Sequence, residues 1–242
     1  MNIDISGIIG DFPDFRVAVV VAERIEIEPG RPPELAALIA EREANCRTAW
    51  GGMELSEIPG VAAWRKAYRA FGIKKTSYRS SVERLVKNVL AERPLPRINA
   101  FVDAYNAVSL AHVLPIGADD IDRIAGDVAF RFARPGDSFV DMAGGEEGEV
   151  EAGGPVEDPP KDGEVVYASG ATVLCRRWNW RQDARSLVSP ETRRAVVTIQ
   201  SNGEGDLDAA VADLLALAET FCGSKGAVAI ADRGQPVVSA GV

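Results

Sequence analysis

The sequence predicts a mixed α/β domain, on three observations. Residues 15–27 (FRVAVVVAERIEI) are rich in valine and isoleucine, residues 33–48, 61–71 and 98–112 carry apolar side chains at helical spacing, and residues 164–177 read as two short strands turning at Ser169-Gly170. With 242 residues, 46% of them hydrophobic, the chain can bury a sizeable core and fits one large domain or two small ones.

The first strand is apolar up to Val21 and alternates after it, the pattern of burial on both faces and then on one. Pro29, Pro32 and Pro33 break the chain, after which Leu35, Leu38 and Ile39 share one face of a helix that tolerates proline in its first turn. Gly51, Gly52, Pro59 and Gly60 mark a loop. In residues 61–71, Val61, Trp64, Tyr68 and Phe71 form a stripe that reads as core, flanked by Arg65, Lys66 and Arg69 and ended by Gly72. Ser80 followed by Glu83 is a capping box, opening a helix that runs through Leu90 and stops before Pro94 and Pro96. The helix at 98–112 ends at Pro115 and Gly117, with Asp119, Asp120 and Asp122 beyond it. Short strands at 128–134 and 138–142 follow. The acidic Gly/Pro stretch at 143–164 cannot bury enough apolar surface to order itself and reads as a mobile loop. After the hairpin come a strand at 195–200, an amphipathic helix capped by Asp206 and ended by Gly223, and an edge strand at 227–231.

Two stretches place polar groups where chemistry could occur. In the helix at 98–112, Asn99, Asp103 and Asn106 stand at i, i+4 and i+7 on one face, with Ser109 a turn further on. A buried carboxylate beside two carboxamides is costly unless each finds a partner, so this face is either a pocket wall or a buried structural network. The second stretch is RRWNWR at 176–181. If the strand period continues into it, Arg177, Asn179 and Arg181 face one way and Arg176, Trp178 and Trp180 the other. Those arginines either bind a carboxylate or phosphate through the guanidinium fork, or pair with acids of the chain while Trp178 fills the core.

Other signals exclude function classes. No glycine-rich nucleotide loop is present, so no cofactor is expected, and the lone His112 has no Ser or Cys partner at a telling spacing. Asp119, Asp120 and Asp122 lack the twelve-residue ligand spacing of a calcium loop, and no metal site is expected. Cys46, Cys175 and Cys222 are too few and too scattered for a disulfide framework and are expected as reduced thiols. Asn2, Asp4 and Asp11 interrupt the first apolar residues and no long apolar run follows, which predicts a cytoplasmic protein without membrane contact. The net charge of −9 is segregated: residues 64–97 carry ten Lys or Arg against two acids, whereas residues 143–164 carry eight acids against Lys161. The basic segment is either a phosphate-binding face or a pair of solvated helices.

RINAFVDAYN at 97–106 resembles the R-P-I-N-x-x-V-D-x-T-N motif of the B3/B4 (tRNA-binding, editing) domain of the phenylalanyl-tRNA synthetase β subunit, and Pro115 and Asp120 match the P-x-H-A-F-D that follows. W-R-x-x-Y at 64–68, Y-R-x-S at 78–81 and C-R-R-W-N-W-R at 175–181 resemble free-standing relatives, so the resemblance spans residues 64–223. It implies one B3/B4-like domain over 1–242, a large mixed sheet layered with helices, with 15–48 as an elaboration. It also implies a pocket that, in the synthetase, hydrolyses tyrosine wrongly attached to tRNA for phenylalanine. Two departures stand out: Gly117 occupies the position of the synthetase-type histidine, and Ala111 that of an acid.

The resemblance and the charge pattern together lead to the expectation of a trans-acting editing factor that hydrolyses misacylated tRNA. Arg65, Lys66, Arg69, Lys74, Lys75 and Arg79 would hold phosphates, and tRNA or aminoacyl-tRNA would be the partner, with no DNA. Asn99, Asn106, Ser109, Arg177, Asn179 and Arg181 would surround the aminoacyl ester, and Asp103 would be the general base. The alternative is a non-catalytic module binding a free amino acid or related metabolite in the same pocket. A third possibility leaves Asp103 and its amides as a core network only.

Overall fold

The structure is a computed structural model describing residues 1–74, 77–141 and 156–241. In chain order the elements are β1 (Asn2–Asp4), β2 (Phe15–Glu23), α1 (Pro33–Trp50), α2 (Pro59–Ala70), α3 (Ser81–Leu90), α4 (Ala100–His112), β3 (Ile116–Asp120), a 3-10 turn (Ile121–Arg123), β4 (Val128–Phe132), β5 (Val140–Asp141), β6 (Val156–Glu157), β7 (Val165–Ser169), β8 (Thr172–Arg176), β9 (Arg181–Gln182), β10 (Arg194–Asn202), α5 (Leu207–Cys222), β11 (Lys225–Ala231) and β12 (Val237–Ser239). The expected mixed α/β class is the observed one.

The strands form a six-stranded sheet in the order β12-β1-β4-β7-β8-β9 and a four-stranded sheet in the order β11-β2-β10-β3. The six-stranded sheet is mixed because β1 runs parallel to β4 while its other neighbours pair antiparallel. The four-stranded sheet is antiparallel throughout, and β2, paired on both sides, is buried along nearly its whole length, as its valine run requires. Among the described residues no helix is long and apolar enough to cross a membrane.

An aromatic cluster holds the centre. Trp178 meets Phe12, Phe15 and Trp64 edge-on, with centroids 4.7, 4.9 and 5.2 Å away. The stripe on α2 is thus core, as its spacing predicts, and truncating a tryptophan so placed costs about 3–5 kcal/mol.

Four expectations change. The helix at 98–112 begins at Ala100, with Asn99 as its N-cap. Residues 116–120, read as following a helix stop, form β3, because β10 supplies a complete antiparallel partner from Ala195 to Ile199. Residues 143–155 of the acidic stretch lie outside the described residues, as does Met142 before it, but its end is held: Glu157 pairs within the β5–β6 ribbon, and Asp158 and Glu164 both bind the fully buried Arg176. Finally, the strand alternation stops at Arg176. Arg177 and Trp178 have φ of 45° and 69°, and residues 177–180 form a turn, so the two-faced strand expected there does not exist. Left-handed backbone costs a non-glycine residue about 1–2 kcal/mol, which the burial of Trp178 and the bond from its N–H to the Val165 carbonyl (2.6 Å) offset.

Candidate functional site

A cavity of about 290 Å³ is lined from both sheets, by Ile116 to Asp119, Thr198 and Gln200 on one side and by Tyr167, Leu174 and Cys175 on the other. Leu85 and Arg84 of α3 and Val102, Tyr105 and Asn106 of α4 close its flanks, and Asn179, Trp180 and Gln182 complete the wall. The exposed Pro96 and Ile98 lie at its rim. Its volume lies at the small end of the range for small-molecule pockets. A β-bulge shapes one wall: Tyr167 pairs with Cys175 and Ala168 with Val173, leaving Leu174 as the extra residue.

Several polar groups in this wall are already engaged. Asn179 accepts from the Tyr68 hydroxyl (3.0 Å), donates to Gln200 Oε1 (3.0 Å), and its carbonyl receives the Ser81 N–H (2.9 Å). Gln182 donates to Asp119 Oδ1 (2.9 Å), which also accepts from the Ser186 hydroxyl (2.6 Å). Others are not engaged. Among the described residues the buried Tyr167 hydroxyl has no hydrogen-bond partner, and the Asn106 carboxamide makes no hydrogen bond. Burial pushes the Asp119 carboxyl up to about 7, with Asp183 adding to the effect and the Ser186 and Gln182 hydrogen bonds opposing it. Burial, with the charge of Asp119 beside it, also drives the Cys175 thiol well above its ordinary range, so this sulfur stays protonated and is no nucleophile at neutral pH.

The polar residues of 98–112 separate into two groups. Asn106 faces the cavity. Asn99 caps the helix instead, accepting from Val102 N (2.9 Å), and the Ser109 hydroxyl donates to the Leu114 carbonyl (2.6 Å). Asp103 is buried against Arg31 Nε (2.7 Å) and the Ile98 N–H (2.9 Å) and does not line the cavity, so a general-base role there has no geometric support. The helical spacing says nothing of which neighbour takes each side chain.

The WNWR stretch contributes Asn179 and Trp180 to the cavity. Arg177 does not line it; its guanidinium is sandwiched between the Tyr78 and Trp180 rings, 3.8 and 4.3 Å from their centroids, with Glu164 at 3.4 Å. Arg181 pairs with Asp141 and lies over the same indole, 4.6 Å from its centroid.

A smaller cleft of about 100 Å³ adjoins, lined by Arg65, Arg69, Lys74 and Arg79 together with Trp64, Tyr68, Tyr78 and the buried Glu83. The two hollows share a wall, since Tyr68 binds Asn179 and the Tyr78 ring packs on Trp180 at 5.1 Å. Glu83 completes only half of the expected capping box: its N–H meets the Ser80 hydroxyl at 3.4 Å, while its carboxylate takes Arg65 and Arg79, each at 2.7 Å. Arg69 and Lys74 extend into solvent, and Lys66 is exposed outside the cleft. Lys75 lies outside the described residues.

Sequence reasoning missed Asp119, Tyr167, Gln182, Gln200 and Arg31. Asp119 was visible only as one of three clustered acids. Asp120 accepts from the Thr192 hydroxyl and the Asp122 N–H, and among the described residues no cluster suited to a metal ion forms. A strand reading of 116–120 is the signal that would have placed Asp119 in a wall.

No curated protein is similar to the chain by sequence. Among solved structures, an N-terminal fragment of the phenylalanyl-tRNA synthetase beta-subunit from Pyrococcus horikoshii is similar, with a TM-score of 0.42 and 11% identity over 93% of this chain. The chain spans about half of that fragment, 50% of its length. The B3/4 domain family model matches residues 63–204, a span that contains every residue named above as lining either hollow. With more than half of its length matched by that model, the chain belongs to the B3/4 domain family.

Proposed function

We propose that the protein is a trans-acting editing factor that takes the aminoacyl group of a misacylated tRNA into the cavity and hydrolyses its ester. The observation that carries this reading is the adjacency of a small-molecule-sized cavity, holding polar groups with no hydrogen-bond partner among the described residues, to a cleft edged by four basic side chains. Arg65, Arg69, Lys74 and Arg79, with Lys66 beside them, hold backbone phosphates near the 3′ end. Arg65 and Arg79 are fixed by Glu83, so the net attraction rests more on Arg69 and Lys74. The Asn106 amide is free to donate to the ester carbonyl as its oxygen becomes an oxyanion, an interaction whose removal lowers kcat by about 10²–10³-fold. Hydrolysis proceeds by water, since the cavity offers no histidine and its thiol stays protonated. The test is a panel of mischarged tRNAs at low salt and micromolar protein. At least one is expected to be deacylated, with Asn106→Ala slower, and inactivity on the whole panel would sink the reading.

The non-catalytic alternative uses the same cavity and is favoured by one observation, that Asp119 is its single lining acid among the described residues. A free amino acid should then raise the melting temperature progressively, as RT ln(1 + [L]/Kd), with no deacylation at any concentration.

A further inference from the structure

Asp119 is 3% exposed, yet no Lys or Arg among the described residues lies within salt-bridge distance of it. Its acidic neighbours in the fold differ. Asp103, Asp137 and Glu164 are buried against Arg31, Arg131 and Arg176, and the adjacent Asp120 has Arg123 at 3.5 Å. The buried Glu43 also lacks a described cation, but its carboxylate caps the Leu95 N–H (2.7 Å) and lines neither of the two hollows described above. Among the described residues Asp119 thus stands as a buried carboxylate with no cation in salt-bridge contact, although Arg84 lines the same cavity, an arrangement that destabilises the ionised form until a cation reaches it.

The position of its hydrogen bonds defines what would fit. Both donors, Ser186 Oγ and Gln182 Nε2, bind the same oxygen, Oδ1. No described residue donates to Oδ2. A bidentate guanidinium fork would use both oxygens, whereas a compact ammonium needs only one and brings further donors for other acceptors. The Tyr167 hydroxyl, buried in the same wall with no hydrogen-bond partner among the described residues, is such an acceptor. Tyr105 adds an aromatic ring to the lining, and such a ring favours a desolvated cation, whereas the Trp180 indole already carries Arg177 and Arg181.

We propose that Asp119 Oδ2, with the Tyr167 hydroxyl, receives a primary ammonium group of the ligand. This rests on the aminoacyl reading above, in which the ammonium belongs either to the α-carbon or to a side chain. Two soluble probes separate those sources: L-leucinol carries an α-ammonium, and Nα-acetyl-L-lysinamide only a side-chain one. The neutral control is 4-methylpentan-1-ol, the leucinol skeleton without its amine.

Calorimetric titration of the full chain should show one of the two amines binding at least ten-fold more tightly than the neutral alcohol. Asp119→Asn, which keeps the shape, should abolish that preference, and Tyr167→Phe should reduce it several-fold. Equal binding of amine and alcohol, an unchanged preference in Asp119→Asn, or no amine binding would each overturn the proposal. Deacylation of mischarged tRNA by the same proteins keeps the two readings apart. Hydrolysis without amine preference removes the ammonium site alone, and amine preference without hydrolysis or tRNA binding removes the editing function alone. If Asp119→Asn keeps the preference but loses kcat at unchanged KM, Asp119 acts on water and the ammonium site is refuted.

Discussion

Asp103→Asn separates a structural carboxylate from a catalytic one. Asp103 is 1% exposed, its partner Arg31 7%, and the Nε to Oδ2 distance is 2.7 Å. Arg31 Nη2 is further held by the Pro96 carbonyl (2.6 Å), so the guanidinium cannot swing out freely when its charge partner is removed. Breaking a buried pair by neutralising one member costs about 3–5 kcal/mol. The asparagine oxygen can still accept from Ile98 N–H, which places the expected loss near the lower end, about 3 kcal/mol. For a domain of this size that lowers the melting temperature by about 6–12 °C. Adding Arg31→Met removes the stranded cation, so the double variant should melt above Asp103→Asn alone. Melting followed by circular dichroism, with deacylation assayed well below the transition, tests both halves. A variant that melts within about a degree of the parent but no longer hydrolyses any mischarged tRNA would refute the structural assignment of Asp103.

Three further outcomes follow from the same geometry. Because folding raises the Asp119 pKa from 3.8 to about 7, the folded state retains a proton that the unfolded state releases; this contribution is fully present below pH 3.8 and is lost as pH rises through 7. Asp119→Asn removes that slope, so urea midpoints should favour the variant more at pH 8 than at pH 5, and an equal difference at both would contradict it. A Cβ on Gly60 would lie 2.6 Å from the Val113 carbonyl and 2.9 Å from its Cγ1, so Gly60→Ala should cost about 1–3 kcal/mol, read from the same denaturation curves. Replacing Arg69 and Lys74 by Gln should weaken tRNA binding and flatten its log–log salt dependence by about one unit for each phosphate no longer neutralised, while amine binding in the cavity is unchanged.

The parts of the fold that the sequence reveals are those set by local patterning. The β2 valine run, the α2 stripe, the Ser80 cap of α3 and the Asp206 and Gly223 ends of α5 were all legible, because each depends on residues within a few positions of one another. β3 was not, since IGADD has weak strand character of its own and owes its form to pairing with β10, whose partners lie about eighty residues away. The site was half legible for a related reason. Asn106 and Asn179 stood out as amides in apolar or aromatic stretches, and both line the cavity. Arg31, a single basic residue between prolines, gives no hint that it will claim Asp103, and Tyr167 reads as an ordinary strand aromatic until its hydroxyl is found without a partner.

The turn at residues 177–180 shows how core packing sets the shape of the cavity. Had the strand continued, Arg177 and Asn179 would have shared a face. Instead the reversal sends Trp178 into the aromatic cluster, Asn179 to the cavity and Trp180 against Tyr78, within four consecutive residues. The turn holds two left-handed non-glycine residues, so it persists only while Trp178 stays packed. Asn179 in turn bridges Tyr68, Gln200 and the Ser81 N–H, and so fixes where α2, α3 and β10 meet the cavity. Phe12 touches none of these polar groups and lines neither hollow, but its ring is 4.7 Å from that of Trp178. Phe12→Ala should therefore weaken binding in the cavity without removing any group that touches the ligand, while the phosphate contacts of Arg69 and Lys74 persist. Amine titration and tRNA binding on the one variant measure both, and unchanged amine affinity in a protein destabilised by the expected 3–5 kcal/mol or so would show that the turn holds its shape without the core.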